Sequence, residues 1–133
     1  MNERIPVHRQ RAALLLVDIQ PDFMPGGALA VAGGDDIVAP VGDLMRSGMF
    51  RHQAATQDWH PPRHVSFASR HPGRQPFDVI ELYGHEQTLW PDHCVQDTPG
   101  AALHPELPWR MVDAVVRKGQ DAAVDSYSGF RDN

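Results

Sequence analysis

The stretch AALLLVD at residues 12–18 is the part of the sequence that most strongly indicates the fold. Six consecutive apolar residues that end at an acidic residue are typical of a strand buried on both faces of a parallel sheet, although periodicity alone also allows a short helix. In open α/β sheets the ligand site lies just beyond the carboxyl ends of such strands. Asp18 is therefore expected to face a ligand.

The residues that follow this strand predict a loop and a crossover helix. Glycine pairs flank an apolar stretch within residues 26–34, which predicts a loop that contains a brief strand. From Asp35 or Asp36 onward, apolar residues recur at helical spacing. We expect the acidic residue to cap this helix and Gly48 to end it.

Two further strands are predicted later in the chain. Residues 52–58 predict a second strand that ends at Asp58, and residues 111–116 predict a third that runs into Lys118. Residues 61–110 are rich in proline and follow neither the helical nor the strand period, which indicates a long ordered loop region. Its expected apolar anchors are Phe67, Phe77, Leu82, Tyr83, Leu89 and Trp90.

Composition bounds the class of protein. The 133 residues are 41% hydrophobic and 22% charged, which fits one soluble globular domain. Twelve basic and 17 acidic residues give a net charge of -5 without a basic cluster, which argues against a nucleic-acid partner and favours a small molecule. No apolar stretch reaches the ~20 residues that a membrane span needs, and the start lacks a secretory signal, so we expect a cytoplasmic protein.

Asp58 and His60 form a candidate metal-binding pair. They lie two residues apart, so on an extended segment both side chains point to the same side. A carboxylate with imidazole ligands suits Zn, Fe or Mn better than Mg or Ca. His64 and His93 are candidate further ligands. The remaining histidines have no partner spacing and are expected at the surface: His8, His52, His71, His85 and His104.

Five segments together resemble the nicotinamidases, also called pyrazinamidases, of the isochorismatase-like hydrolase family. They are VDIQPDF (17–23), TQDWH (56–60), WPDHCV (90–95), RKG (117–119) and DSYSGF (125–130), in the family's order. The resemblance implies a doubly wound, Rossmann-like α/β fold with a six-stranded parallel sheet. Residues 1–133 would then be a single domain that forms the amino-terminal portion of this fold. The implied reaction is hydrolysis of nicotinamide, and also of pyrazinamide, to the acid and ammonia.

The resemblance also implies a role for each matching residue. Asp18 matches the catalytic acid/base and Lys118 the catalytic lysine. The implied metal ligands are Asp58, His60 and His93, with Zn the first choice and Fe or Mn as alternatives. His64 matches a fourth ligand that only some relatives have, so its role stays open. The positions that match the lining of the substrate ring pocket are Phe23, Leu29, Trp90 and Tyr127.

The sequence departs from the family at the nucleophile. The family's catalytic cysteine follows a fourth strand, and Cys94, the single cysteine here, matches a cysteine that is not the nucleophile. We therefore expect a complementary carboxyl-terminal segment as a second polypeptide, separated after Asp132 and Asn133, or a truncated product that dimerises through its open sheet edge. A homo-oligomer is expected.

Two other functions stay open at this point. One is an isochorismatase-type or carbamoyl-amide hydrolase, whose relatives generally lack the metal-ligand set. The other is an inactive metal-binding fragment, which the missing nucleophile supports.

Overall fold

The computed structural model describes residues 5–131, so the proposed break after Asp132 and Asn133 lies outside the described residues. The strands and the α-helix, in chain order, are β1 (Ala13–Val17), α1 (Val38–Arg46), β2 (His52–Asp58), β3 (Val79–Leu82), β4 (His85–Thr88) and β5 (Ala114–Lys118). Short 3-10 helices lie at Pro21–Phe23, Gly34–Ile37, Ala68–Arg70, Pro99–Ala101 and Trp109–Met111.

Strands β1, β2 and β5 form one parallel sheet with β2 in the middle. All three predicted strands are present, and β1 and β2 lie where the sequence places them. The third strand begins later than predicted, at Ala114 instead of Met111, because residues 109–111 form a 3-10 helix. The Trp109 indole donates a hydrogen bond to the His104 carbonyl and packs on the core, which draws this segment away from the sheet.

Helix α1 follows β1 and precedes β2, as a crossover helix does in a βαβ unit. The predicted acidic cap is wrong: the N-cap residue is Ile37, which makes no side-chain cap, and Asp35 and Asp36 lie in the preceding 3-10 helix. That 3-10 helix continues directly into α1, which leaves no non-helical residue for a side-chain cap. Gly48 follows the helix end with φ of 71°, in agreement with its predicted role as the stop.

The two faces of the parallel sheet differ in how much of the protein packs on them. Leu16 and Ala55 belong to the core, together with Met45 of α1 and Leu107. The opposite face, which we call the open face, carries Ala13, Leu15, Val17, Ala54, Thr56, Ala114 and Val116. Leu15 is 60% exposed and Val17 57% exposed. The prediction that β1 is buried on both faces is therefore wrong for residues 5–131, because α1 and the core residues pack on one face only.

The long region between β2 and β5 contains a hairpin that sequence patterns did not reveal. Strands β3 and β4 pair antiparallel, and Tyr83 and Gly84 both have positive φ, as a two-residue type I′ turn requires. Phe77 and Tyr83 are exposed and do not anchor this region, whereas Phe67 and Leu89 are fully buried. The polar residues of HEQT gave β4 no apolar alternation to detect.

The glycine-rich stretch at residues 26–34 contains turns and no strand, so the brief strand predicted there is wrong. Backbone hydrogen bonds from Leu29 to Asp22 and from Val31 to Phe23 fold it back onto the preceding turn, which leaves no strand partner. No helix among the described residues is long and apolar enough to cross a membrane.

Candidate active site

A cavity of about 280 Å³ lies at the carboxyl ends of the three parallel strands. Nine of the ten candidate site residues line it, His64 being the exception: Asp18, Phe23, Leu29, Asp58, His60, Trp90, His93, Lys118 and Tyr127. Asp125 and Ser126 complete the lining. The structure thus brings together residues that lie up to 109 positions apart, from Asp18 to Tyr127.

Asp18, Asp58 and Lys118 meet at one point because each stands at or just beyond the end of its strand. The Lys118 ammonium donates to Asp58 Oδ1 and lies 2.8 Å from Asp18 Oδ2. Asp18 has φ of 51°, an uncommon conformation for a residue with a side chain, and Thr56 Oγ1 donates to its Oδ1 at 2.7 Å. The ammonium therefore bridges two carboxylates from neighbouring strands.

Electrostatics keep Asp58 and Lys118 charged despite burial. Burial opposes ionisation of Asp58, but the neighbouring His60 side chain and the charge of Lys118 outweigh it and lower the pKa of Asp58 to about 2. Burial also disfavours the Lys118 ammonium, yet Asp58 and Asp18 overcome this effect and raise the pKa of Lys118. Both groups are ionised at neutral pH.

Asp58, His60 and His93 form a group that could hold a metal ion. One ligand atom from each lies within 4.8 Å of the other two, and all three residues are buried. The Nε2 atoms of His60 and His93 lie 3.6 and 4.0 Å from Asp58 Oδ2, too far apart for good hydrogen bonds. One carboxylate and two imidazoles are a donor set that suits a transition metal.

Backbone carbonyls orient both imidazoles. His60 Nδ1 lies 2.9 Å from the Gly119 carbonyl, and His93 Nδ1 lies 2.8 Å from that of Pro91. A carbonyl only accepts, so Nδ1 is the protonated nitrogen and Nε2 faces Asp58. Gly119 has φ of 67°, and a Cβ at this position would meet the His60 ring. Burial lowers the pKa of His93, which favours the neutral ring that a metal requires.

Gln20 and Asp22 support the site, although the sequence motifs imply no functional role for either. Gln20 is fully buried; its amide accepts from Asp58 N and donates to the carbonyls of Asp58 and Ala101. Asp22 Oδ2 accepts from Cys94 N at 2.7 Å, next to His93. No local sequence signal marks Gln20, because its amide, three residues beyond β1, bonds a backbone 38 positions away.

Aromatic and aliphatic side chains form the other wall of the cavity. Phe23 lies 5.8 Å from His93 between ring centroids, and Trp90 is half-buried with its ring against Phe77. Tyr127 is 71% exposed, so it lines the cavity from the rim. Flat apolar faces beside a polar corner are suited to a small planar ring with one polar substituent.

His64 and Cys94 lie next to this cavity without lining it. His64 belongs to neither the cavity nor the metal-binding group, although its ring centroid is 4.5 Å from that of His60. Cys94 is fully buried, and burial with nearby carboxylates raises the pKa of its thiol. A buried thiol with a raised pKa is a poor nucleophile, which agrees with the role that the sequence gives Cys94.

Comparison with curated proteins confirms the resemblance inferred from the motifs. The chain is 50% identical to a nicotinamidase of Acinetobacter baylyi over 118 residues, which are 89% of this chain and 54% of that protein. It is 52% identical to a nicotinamidase of Escherichia coli over 123 residues, 91% of this chain and 57% of that protein. The chain therefore spans little more than half the length of these relatives. No family model matches it.

Solved structures confirm the α/β fold. An Acinetobacter baumanii nicotinamidase and pyrazinamidase matches with a TM-score of 0.84 and 48% identity, over 90% of this chain and 57% of that one. A Pyrococcus horikoshii pyrazinamidase in complex with zinc matches with a TM-score of 0.67 and 40% identity, over 89% and 57%. An isochorismatase-like hydrolase of Alkaliphilus metalliredigens shares the fold at 22% identity and a TM-score of 0.63, over 90% and 54%.

Proposed function

We propose that this chain, a homologue of nicotinamidases over about nine-tenths of its length, supplies the metal site, the acid/base and the ring pocket of an enzyme that hydrolyses nicotinamide to nicotinate and ammonia. The observation that carries the proposal is the cavity lined by the two implied catalytic residues, the three implied metal ligands and the four implied ring-pocket residues. Pyrazinamide, with the same ring shape and amide, is the second expected substrate, and one structural relative is named for that activity as well.

Asp18 and Lys118 are proposed to serve the chemical step. Asp18 takes the proton of a cysteine thiol, and the thiolate attacks the amide carbon to form a thioester. Asp18 then gives that proton to the departing nitrogen, ammonia leaves, and water hydrolyses the thioester to nicotinate. The Lys118 ammonium, 2.8 Å from Asp18 Oδ2, stabilises negative charge at this point.

Asp58, His60 and His93 are proposed as ligands of one divalent metal. Their buried, mutually oriented donor atoms fit such an ion, and zinc is the first choice because a pyrazinamidase of related structure was solved with zinc. When bound, the metal supplies a positive centre that fixes the direction of the ring nitrogen, directly or through a hydrating water. Phe23, Leu29, Trp90 and Tyr127 would hold the faces and edge of the ring.

The nucleophile is proposed to come from a complementary carboxyl-terminal segment. Cys94 is buried and its thiol pKa is raised, so the chain's single cysteine is unsuited to attack. The open face of the sheet, with Leu15 and Val17 more than half exposed, is the surface that such a segment would cover. The assembled protein is expected to be cytoplasmic and homo-oligomeric.

The activity test compares the isolated chain with the chain plus a purified complementary segment, using ammonia release from nicotinamide as the readout. We expect essentially no release by the chain alone and recovery with the segment. In the mixture, Asp18→Ala should abolish activity and Cys94→Ala should leave it within about threefold, because a nucleophile or its base carries nearly all covalent catalysis. Full activity of the isolated chain, lost on Cys94→Ala, would instead make Cys94 the nucleophile.

The metal assignment has its own test on the same chain. His60→Ala should lower bound metal from one equivalent to near zero at micromolar metal, as loss of one of three ligands predicts. His85→Ala is the matched control, because His85 is exposed on β4 and lies outside the cavity. Stoichiometric metal in His60→Ala would remove this residue from the ligand set.

A comparison of substrates distinguishes nicotinamide hydrolysis from the two alternative functions. A solved N-carbamoylsarcosine amidase of Thermoplasma acidophilum shares the fold at 22% identity and a TM-score of 0.53. An assembled protein that hydrolysed N-carbamoyl amides and left nicotinamide intact would favour the carbamoyl-amide hydrolase function. Metal binding without any hydrolysis by the assembled protein would favour the inactive fragment.

A further inference from the structure

We propose that His64 is a positioning residue that holds one wall of the substrate cavity and is not a metal ligand. The inference rests on the proposed function, because it gives residues 122–127, here called the wall segment, a role in holding the substrate ring. Three residues of this segment line the cavity: Asp125, Ser126 and Tyr127.

The hydrogen bonds of His64 leave no lone pair for a metal. Nε2 lies 2.9 Å from the Val124 carbonyl, which can only accept, so Nε2 carries the proton. Nδ1 lies 2.8 Å from Ser66 Oγ and accepts from Ser66 N at 3.3 Å. Both ring nitrogens are engaged, and the side chain is fully buried. Burial lowers the pKa of His64, which agrees with a neutral ring.

The wall segment depends on such side contacts because it contains neither helix nor strand. Besides the bond from His64 to Val124, the backbone N–H of Val65 donates to the Ala122 carbonyl at 2.8 Å. On its far side, Gln87 Nε2 of strand β4 donates to Asp125 Oδ2 at 2.6 Å. The segment is therefore held between the loop that follows β2 and the β3–β4 hairpin.

The place of His64 links this wall to the metal-binding group. Its ring centroid is 4.5 Å from that of His60 and 5.6 Å from that of Phe67, which is fully buried. The ring therefore has a fixed position, and its bond to Val124 sets the distance between the wall segment and the His60 corner. Loss of this bond should widen the cavity at Tyr127 while the donor atoms of Asp58, His60 and His93 stay in place.

The experiment compares His64→Leu, which removes both hydrogen bonds, with His64→Gln, whose amide can donate to Val124 and accept from Ser66. In the assembled enzyme, His64→Leu should raise KM for nicotinamide about tenfold with kcat within about threefold, as expected when the buried hydrogen bond to the wall segment is lost outside the chemical step. His64→Gln should restore KM to within about threefold of the parent. Both variants should retain one equivalent of metal.

Two further measurements test the role of His64 without an activity assay. Zinc stoichiometry and backbone hydrogen exchange can be measured on the chain itself: exchange in the wall segment should speed up in His64→Leu and stay slow in His64→Gln. If His64→Leu does not fold, loss of metal from the folded His64→Gln variant would still show that His64 is a ligand. Unchanged exchange or unchanged KM in a folded His64→Leu would overturn the positioning role, whereas a parent enzyme that releases no ammonia would contradict the proposed function alone.

Discussion

The two faces of the parallel sheet carry similar residues and have different surroundings. Leu16 is 3% exposed and packs against Met45 and Leu107, whereas Leu15, its neighbour in β1, is 60% exposed on the open face. The strands alternate apolar side chains toward both faces, so the sequence is suited to a sheet covered on both sides. By the same alternation Asp58 and Lys118 lie on the side of the open face, so this face borders the site and marks where the sheet can accept more structure.

The largest expected effect tests this difference with two leucines of the same strand. Leu16→Ala should lower the free energy of unfolding by about 2–5 kcal/mol, because it leaves a cavity in the core. Leu15→Ala should cost less than about 1 kcal/mol in the isolated chain, since most of its side chain is already in water. Urea unfolding measures both. Equal losses would mean that the open face is covered in solution.

A charge placed on the open face tests whether the complementary segment covers this face. Val17→Asp should weaken association with the complementary segment at least about tenfold, because burial of an unpaired carboxylate is costly. Titration of the chain with the segment, followed by recovery of ammonia release, measures the change. Ala39→Asp, exposed on α1, is the matched control and should leave the titration unchanged. If Val17→Asp binds the segment as the parent does, the segment docks elsewhere.

The smallest expected effect concerns a polar residue on the covered face. Gln53 Nε2 donates to the Met45 carbonyl at 2.9 Å, but its Oε1 is buried without a partner among the described residues. Gln53→Leu should change the free energy of unfolding by less than about 1 kcal/mol, because the lost bond is offset by removal of an unsatisfied acceptor.

Gln57→Leu is the contrasting variant for the same urea measurement. Gln57 is buried and bonds both the Ala101 carbonyl and the Arg117 side chain, so its replacement removes two hydrogen bonds and should cost about 1–3 kcal/mol. A Gln53→Leu loss as large as that of Gln57→Leu would show that Gln53 Oε1 has a partner in solution.

Much of the site could be predicted because its residues stand at positions that backbone geometry makes special. The strand ends Asp18, Asp58 and Lys118 follow apolar runs, and parallel strands place their carboxyl ends along one edge of the sheet. Asp58 and His60 lie two residues apart, so their side chains point to the same side of an extended chain. The roles of these residues in catalysis and metal binding stay predictions.

Other features could not be predicted because they depend on contacts between distant segments. Gln20 carries no local signal that its amide will bond the backbone of Asp58, 38 positions away. The hairpin was missed because Tyr83 adopts positive φ and its strands lack a clear apolar alternation. Strand β1 is buried on one face because of what packs against the sheet. The sequence of the strand itself does not encode those contacts.

The close approach of Gly119 to the His60 ring has a consequence for natural variation at this position. Gly119 has no functional group, yet its φ of 67° disfavours any side chain, and a Cβ would occupy the place of the imidazole. A chain that acquired alanine there would have to move the histidine or the strand end that faces it. Among homologous sequences, glycine at this position should therefore accompany the Asp-x-His pair, and its replacement should accompany loss of that pair.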